Sequence, residues 1–155
     1  IAPWTLLLIA TTLMTAPWRW WTRDGDDSES RGFLRAACIW LVISLIMHLC
    51  LRPYNVALGV NFSHAYFAAM GQATALGFVM QMLMALTMRL AGSSGRGLLP
   101  LINLGIAAQV AALIGTDWNH AWSIALAGAG VVQAAALGLW IARQWRELRN
   151  QAGGT

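Results

Sequence analysis

The chain has 155 residues, of which 58% are hydrophobic and only 10% charged, against about 25% charged in an ordinary globular domain. So few charges cannot cover a water-soluble surface, and the class is an all-α polytopic transmembrane bundle. The ten basic residues are all arginines beside apolar segments, so the net charge of +4 is a topology signal and nucleic acid is excluded as a partner.

Five segments are long and apolar enough to span, and they form one transmembrane domain over 1–155. The first runs from about 3 to 18. It lacks the basic leader and small-residue cleavage site of a signal peptide, so it reads as a spanning helix. The connector TRDGDDSESRG that follows carries Asp24, Asp26, Asp27 and Glu29. It lacks the glycine and closing glutamate of a calcium loop and reads as solvated. The second span, 33–51, ends at Arg52-Pro53 and contains Cys38 and Cys50, too far apart along one helix to pair.

The third segment, 64–90, organises the rest, with a single charge, Arg89, in 27 residues. At about 1.5 Å rise per residue, its central ~20 residues already cross a hydrocarbon core of roughly 30 Å. Met80, Met84 and Met88 make an i, i+4 stripe that reads as packing, with Cu(I) as the alternative use of thioethers. The fourth span covers 98–114 and the fifth 121–142. Run length and the lack of alternation exclude a β-barrel.

Alternating the five spans puts nine arginines on one side and only Arg52 on the other. The arginine-rich side is then cytoplasmic, the N-terminus faces out and the C-terminus faces in. Arg35, Arg89 and Arg143 anchor the inner boundary, and Trp118 and Trp122 the outer one. Bound lipid is expected, and Arg35 and Arg89 reach lipid phosphate or, in the alternative, a haem propionate.

In the last span Gly130, Ala134, Gly138 and Ala142 recur every fourth residue, a strip against which another helix packs closely, in this chain or another. The intramembrane amides Gln72, Gln81, Asn103, Gln109 and Gln133 read as interhelical hydrogen-bonding groups. No carboxylate lies within a span, which argues against a pump or proton-coupled transporter.

All three histidines fall on the outer side. His64 and His120 open helices, where a polar side chain simply meets the interface. His48 lies within a span, with Ser44 four residues before it on the same face. Two readings stand for it: a hydrogen-bonded structural histidine, or with His64 a ligand to haem or copper. The sequence carries no Ser-His-Asp set, no CxxC and no phosphate loop, so no enzyme is expected.

The stretches GQATALGF (71–78), MRLAGSSGR (88–96), LLPLINLGIAAQV (98–110) and WIARQWRELR (140–149) resemble the NnrS family. These are bacterial inner-membrane proteins that contain haem and copper and are linked to nitric oxide metabolism. The resemblance covers the chain as the last five helices of a longer member, with Trp40 on the second. It implies a multi-pass protein of the bacterial inner (cytoplasmic) membrane, haem or copper, and a role in nitric oxide handling. The chain departs from the pattern where it matters. Gln72 replaces the motif histidine, Ser93 or Ser94 the loop histidine, and Gln109 an arginine, so the family's ligands do not carry over. The expectation is therefore a non-catalytic subunit or scaffold, packed with other membrane-protein subunits in a respiratory or photosynthetic assembly. A haem- or copper-binding protein is the alternative.

Overall fold

The computed structural model describes residues 28–91 and 97–153, and every element among them is a helix. Four helices are long and apolar enough to cross a membrane. The expected first span, 3–18, lies outside the described residues.

Helix α1 is Ser28–Leu58. A continuous rod follows, made of α2 (His64–Gln72), a π-helical segment (Ala73–Met80) and α3 (Gln81–Ala91). Helix α4 is Leu98–Thr116 and α5 is Trp122–Gly153. Each packs mainly on its neighbours. The rod lies between α1 and α4, and α5 rests on α4 at the edge, touching α3 slightly and α1 not at all.

Two expected boundaries are corrected. The second span was expected to stop at Arg52-Pro53, but α1 begins at Ser28 and runs through Pro53 to Leu58. An interior proline costs a helix about 3 kcal/mol, so the last turn must be held from outside. Its end is closed by Gly59 at φ 67°, with Gly59 N–H donating to the Val56 carbonyl and Val60 N–H to that of Asn55. This is the paired-bond, left-handed glycine stop. Beyond it, Asn55 Oδ1 accepts from the Ser63 amide. The fifth span was expected to end at residue 142, but α5 continues to Gly153. The arginines, glutamines and leucine after residue 142 are good helix formers. Polarity there does not end the helix.

The sequence also reads 64–90 as uniform α-helix, whereas eight residues of it are π-helical. A close approach falls within it. A Cβ on Gly77 would lie 2.5 Å from Trp40 Cγ and 2.7 Å from Trp40 Cβ, so the indole of α1 sits directly on the rod's backbone. Segments closed by i→i+5 bonds are rare and occur mostly inside α-helices.

Phe33, Met84, Ile102 and Ile106 fill the centre, and Met88 is buried beside them with Met80 packed at the margin. Two of the three methionines in the stripe are thus core residues. The ends of the bundle sort cleanly. At one end Arg89 Nε on α3 donates to Ser30 Oγ on α1 at 3.4 Å. At the other, which we call the rim, the end of α1, the start of α2 and the end of α4 meet.

Candidate functional site

Three hydrogen-bonded polar groupings stand out among the described residues, and each is built by helix register. At the rim, Asp117 caps α4. Its Oδ2 accepts from Tyr54 Oη at 3.0 Å and from Ser63 Oγ at 2.5 Å. Ser63 is also the N-cap of α2, its Oγ accepting from the Tyr66 amide at 2.9 Å, which satisfies one of the orphan donors of a helix start. Tyr66 stacks on Tyr54 with centroids 4.2 Å apart, and its hydroxyl donates to the Met47 carbonyl. One carboxylate therefore ties three helix ends together, and every group around it is engaged in that task.

In mid-bundle, Asn103 on α4 joins α1 to the rod. Its Oδ1 accepts from Trp40 Nε1 at 2.7 Å and from Gln81 Nε2 at 3.0 Å. Its Nδ2 donates to the Leu99 carbonyl at 2.8 Å and to Gln81 Oε1 at 3.4 Å. All the hydrogen-bonding capacity of that amide is used. Gln81 is fully buried.

The third grouping holds His48. Its Nδ1 lies 2.8 Å from the Ser44 carbonyl oxygen. A carbonyl can only accept, so Nδ1–H is the donor. Ser44 does share a face with His48, but its hydroxyl turns away to Thr74 Oγ1 at 2.5 Å. Thr74 donates its own proton to the Met70 carbonyl at 3.0 Å, which makes Ser44 the donor of the pair. Beside His48 a hollow of about 400 Å3 opens on the flank of the molecule, walled by Phe67, Gly71, Ala75 and Val79 of the rod.

The structure separates the other histidines from this site. His64 is exposed at the first position of α2, edge-on to Phe62 with centroids 5.0 Å apart. His120 is exposed in the turn before α5. Among the described residues no three His, Cys, Asp or Glu side chains gather where they could hold a metal ion. That donor set does not fit a copper centre closed by side chains. A haem needs only one or two axial ligands, and the Nδ1 bond of His48 is of the kind that orients a ligating imidazole.

Of the expected anchors, Arg35 is half-buried on α1, while Arg89 and Arg143 are exposed near the end opposite the rim. Trp118 and Trp122 are exposed at the rim, and the Trp122 ring covers Gly115. Of the small-residue strip, Gly130 faces α4, its Cβ position 3.5 Å from Gln109 Nε2. Ala134, Gly138 and Ala142 are exposed. The face that α5 presents to α4 is instead Ala129, Gln133 and Ala136.

The sequence pointed to amides bonded across helices but not to Trp40 as their partner. Trp40, Gln81 and Asn103 are far apart in the chain, and only the packing of three helices aligns them. Compared with known proteins, the chain matches no family model, no curated protein and no solved structure.

Proposed function

We propose that the chain is a non-catalytic multi-pass subunit that packs within a larger inner-membrane assembly. The observation that carries this reading is α5. Its apolar span is only 17% buried by the described residues, and its outward side offers Ala134, Gly138 and Ala142 beside Val131, Leu139 and Ile141. In a bilayer, small residues on an apolar face let a second helix approach closely, and packing drives association there. The polar groups support the same reading. The rim carboxylate, Asn103 and Thr74 are all engaged in joining helices, which suits a scaffold.

The full topology is five spans, with 3–18 as the first. The end that carries Arg89 and Ser30 lies in the cytoplasm and the Asp117 rim faces out. A cysteine placed at Asn61 is labelled by a membrane-impermeant maleimide from outside, and one placed at Asn150 only after the membrane is opened. Mild detergent extraction followed by native electrophoresis tests the assembly. Comigration with other membrane proteins is expected, and a stable lone monomer would overturn the reading.

A second reading, haem binding with His48 as an axial ligand, is favoured by the oriented His48 ring alone. A Soret band that shifts in His48→Ala supports it. A purified protein without a Soret band ends it.

A further inference from the structure

We propose that the flank of the molecule below the rim seats one phospholipid with a net-negative headgroup, its phosphate on Arg52 and an acyl chain in the hollow beside His48. Counted by span, Arg52 stands alone on its side of the membrane, so topology does not account for it. Because α1 passes Pro53 and runs to Leu58, Arg52 keeps helical register. It lies four residues after His48, on the same flank and one turn closer to the rim. Arg52 is exposed there. The rim carboxylate is occupied elsewhere, since Asp117 Oδ2 accepts from Tyr54 and Ser63. On the rod, His64 and Gly71 are seven residues apart, on one line of α2. The exposed His64 ring meets Phe62, and Phe62 meets Phe67, with centroids 5.0 and 5.5 Å apart. A guanidinium and an imidazole therefore stand on the rim side of the hollow.

Below these two groups the wall is mostly apolar. Phe67, Gly71, Ala75 and Val79 of the rod recur every fourth residue, and the two small ones leave a hollow of about 400 Å3 between the two large ones. Phe67 is 52% and Val79 45% exposed, so the hollow opens sideways toward lipid. At about 1.5 Å per residue, Gly71 lies roughly 10 Å deeper than His64. That is the order of parts in a phospholipid, whose phosphate lies above its chains. Charge decides between occupants. A neighbouring helix laid along this flank would cover Arg52, and a buried charge without a partner is costly. An acyl chain leads up to a phosphate that pairs with it. Arginine suits the task, because its planar donors fork onto phosphate oxygens and its stem lies along apolar surface while the head reaches the interface. A zwitterionic headgroup brings its own cation to the phosphate, so the net-negative one gains most. The proposal goes beyond the subunit reading and requires only that the rim lies at a membrane surface, whichever side it faces.

The test uses the purified full chain in phosphatidylcholine nanodiscs with trace phosphatidylglycerol that carries a diazirine in one acyl chain. Label is expected on the peptide containing Phe67 to Val79. A phosphatidylcholine probe with the same chain, at the same mole fraction, should label that peptide about fivefold less, the ratio for one arginine at a membrane surface. Arg52→Gln should bring the two probes to equality while the label stays on the same peptide. His64→Ala should narrow the difference less. Gly71→Leu fills the hollow, and a Cβ there meets no atom within 4 Å. It should abolish labelling of that peptide by both probes at an unchanged melting temperature. Equal labelling of the unaltered chain by the two probes, or a preference that survives Arg52→Gln, would overturn the proposal. So would label that persists on this peptide in Gly71→Leu. Label that is absent in native membranes and returns on purification would assign the hollow to a neighbouring helix and overturn it as well. Labelling needs no other subunit, so a lone monomer, which sinks the subunit reading, leaves this result standing.

Discussion

The seam that joins α1, the rod and α4 differs in kind from the seam between α4 and α5. In the first, an indole is seated on a glycine, and one asparagine exhausts its hydrogen-bonding capacity on Trp40, Gln81 and Leu99. In the second, the backbones come together where Gly105 meets the Cβ and Cα of Gln133, and Gly130 meets the side chain of Gln109. Both glutamines there keep a buried Oε1 with no partner among the described residues. The first seam has one register that satisfies its polar groups. The second is held by shape, so its amides do not fix where α5 sits along α4. The helix with the looser seam is also the one that turns most of its apolar surface outward, which fits an element that settles against something further.

The largest expected effect lies in the first seam. Gly77→Ala puts a methyl 2.5 Å from Trp40 Cγ. The obstructing atoms are close to the Trp40 backbone, so no flexible tip can swing aside. Overpacking of this kind costs about 1–3 kcal/mol, read by SDS titration in mixed micelles. Gly115→Ala is the control, since it meets the Trp122 ring equally closely. That ring is 46% exposed and can turn outward, so a smaller loss is expected. Equal losses would mean that the indole on Gly77 is no more constrained than one at the rim.

Asn103→Leu comes next. It leaves Trp40 Nε1 and both ends of the Gln81 amide without their partner. Single interhelical hydrogen bonds in membranes average about 0.6 kcal/mol and reach roughly 1.7, so a combined loss of about 1–2 kcal/mol is expected in the same titration. At the rim, Asp117→Ala removes the acceptor shared by Tyr54 and Ser63. A loss of about 1 kcal/mol is expected, with faster hydrogen exchange at the 59–63 turn. Slower or unchanged exchange there would show that the glycine stop at Gly59 holds the turn by itself.

These sites show how far the sequence could be read. Hydropathy and length found the apolar cores of the four described spans, because the bilayer constrains each segment separately. Helix ends were less legible. Arg52-Pro53 is locally a stop, and only Asp117, distant in the chain, and Asn55 show why α1 passes it. The π segment left no periodic signal, and the indole seated on its Gly77 comes from another helix. The amides Gln81 and Asn103 could be read as interhelical from their type, but Gln109 and Gln133, of the same type, turned out differently. Partner choice depends on the crossing of helices, which composition does not encode. The strip at 130–142 was visible as a spacing, yet the spacing did not say which face meets α4.

The smallest effect sharpens the comparison most. Gln133 is only 4% exposed and its Oε1 has no partner among the described residues. Replacing a buried group that lacks its hydrogen bond by an apolar one of similar size removes a desolvation penalty and can be neutral or stabilising. Gln133→Met should therefore change stability by less than about 0.5 kcal/mol in either direction, where Asn103→Leu costs more. Gly105→Ala belongs with it, because its Cβ would meet Gln133 at 3.5 Å, an ordinary contact. A loss at Gln133 as large as that at Asn103 would erase the distinction between the seams. It would mean that the Gln133 amide finds a partner once the chain is in its membrane. If that loss appeared in native membranes but not in micelles of the purified chain, the partner would belong to a neighbouring subunit, and α5 would be the helix that meets it.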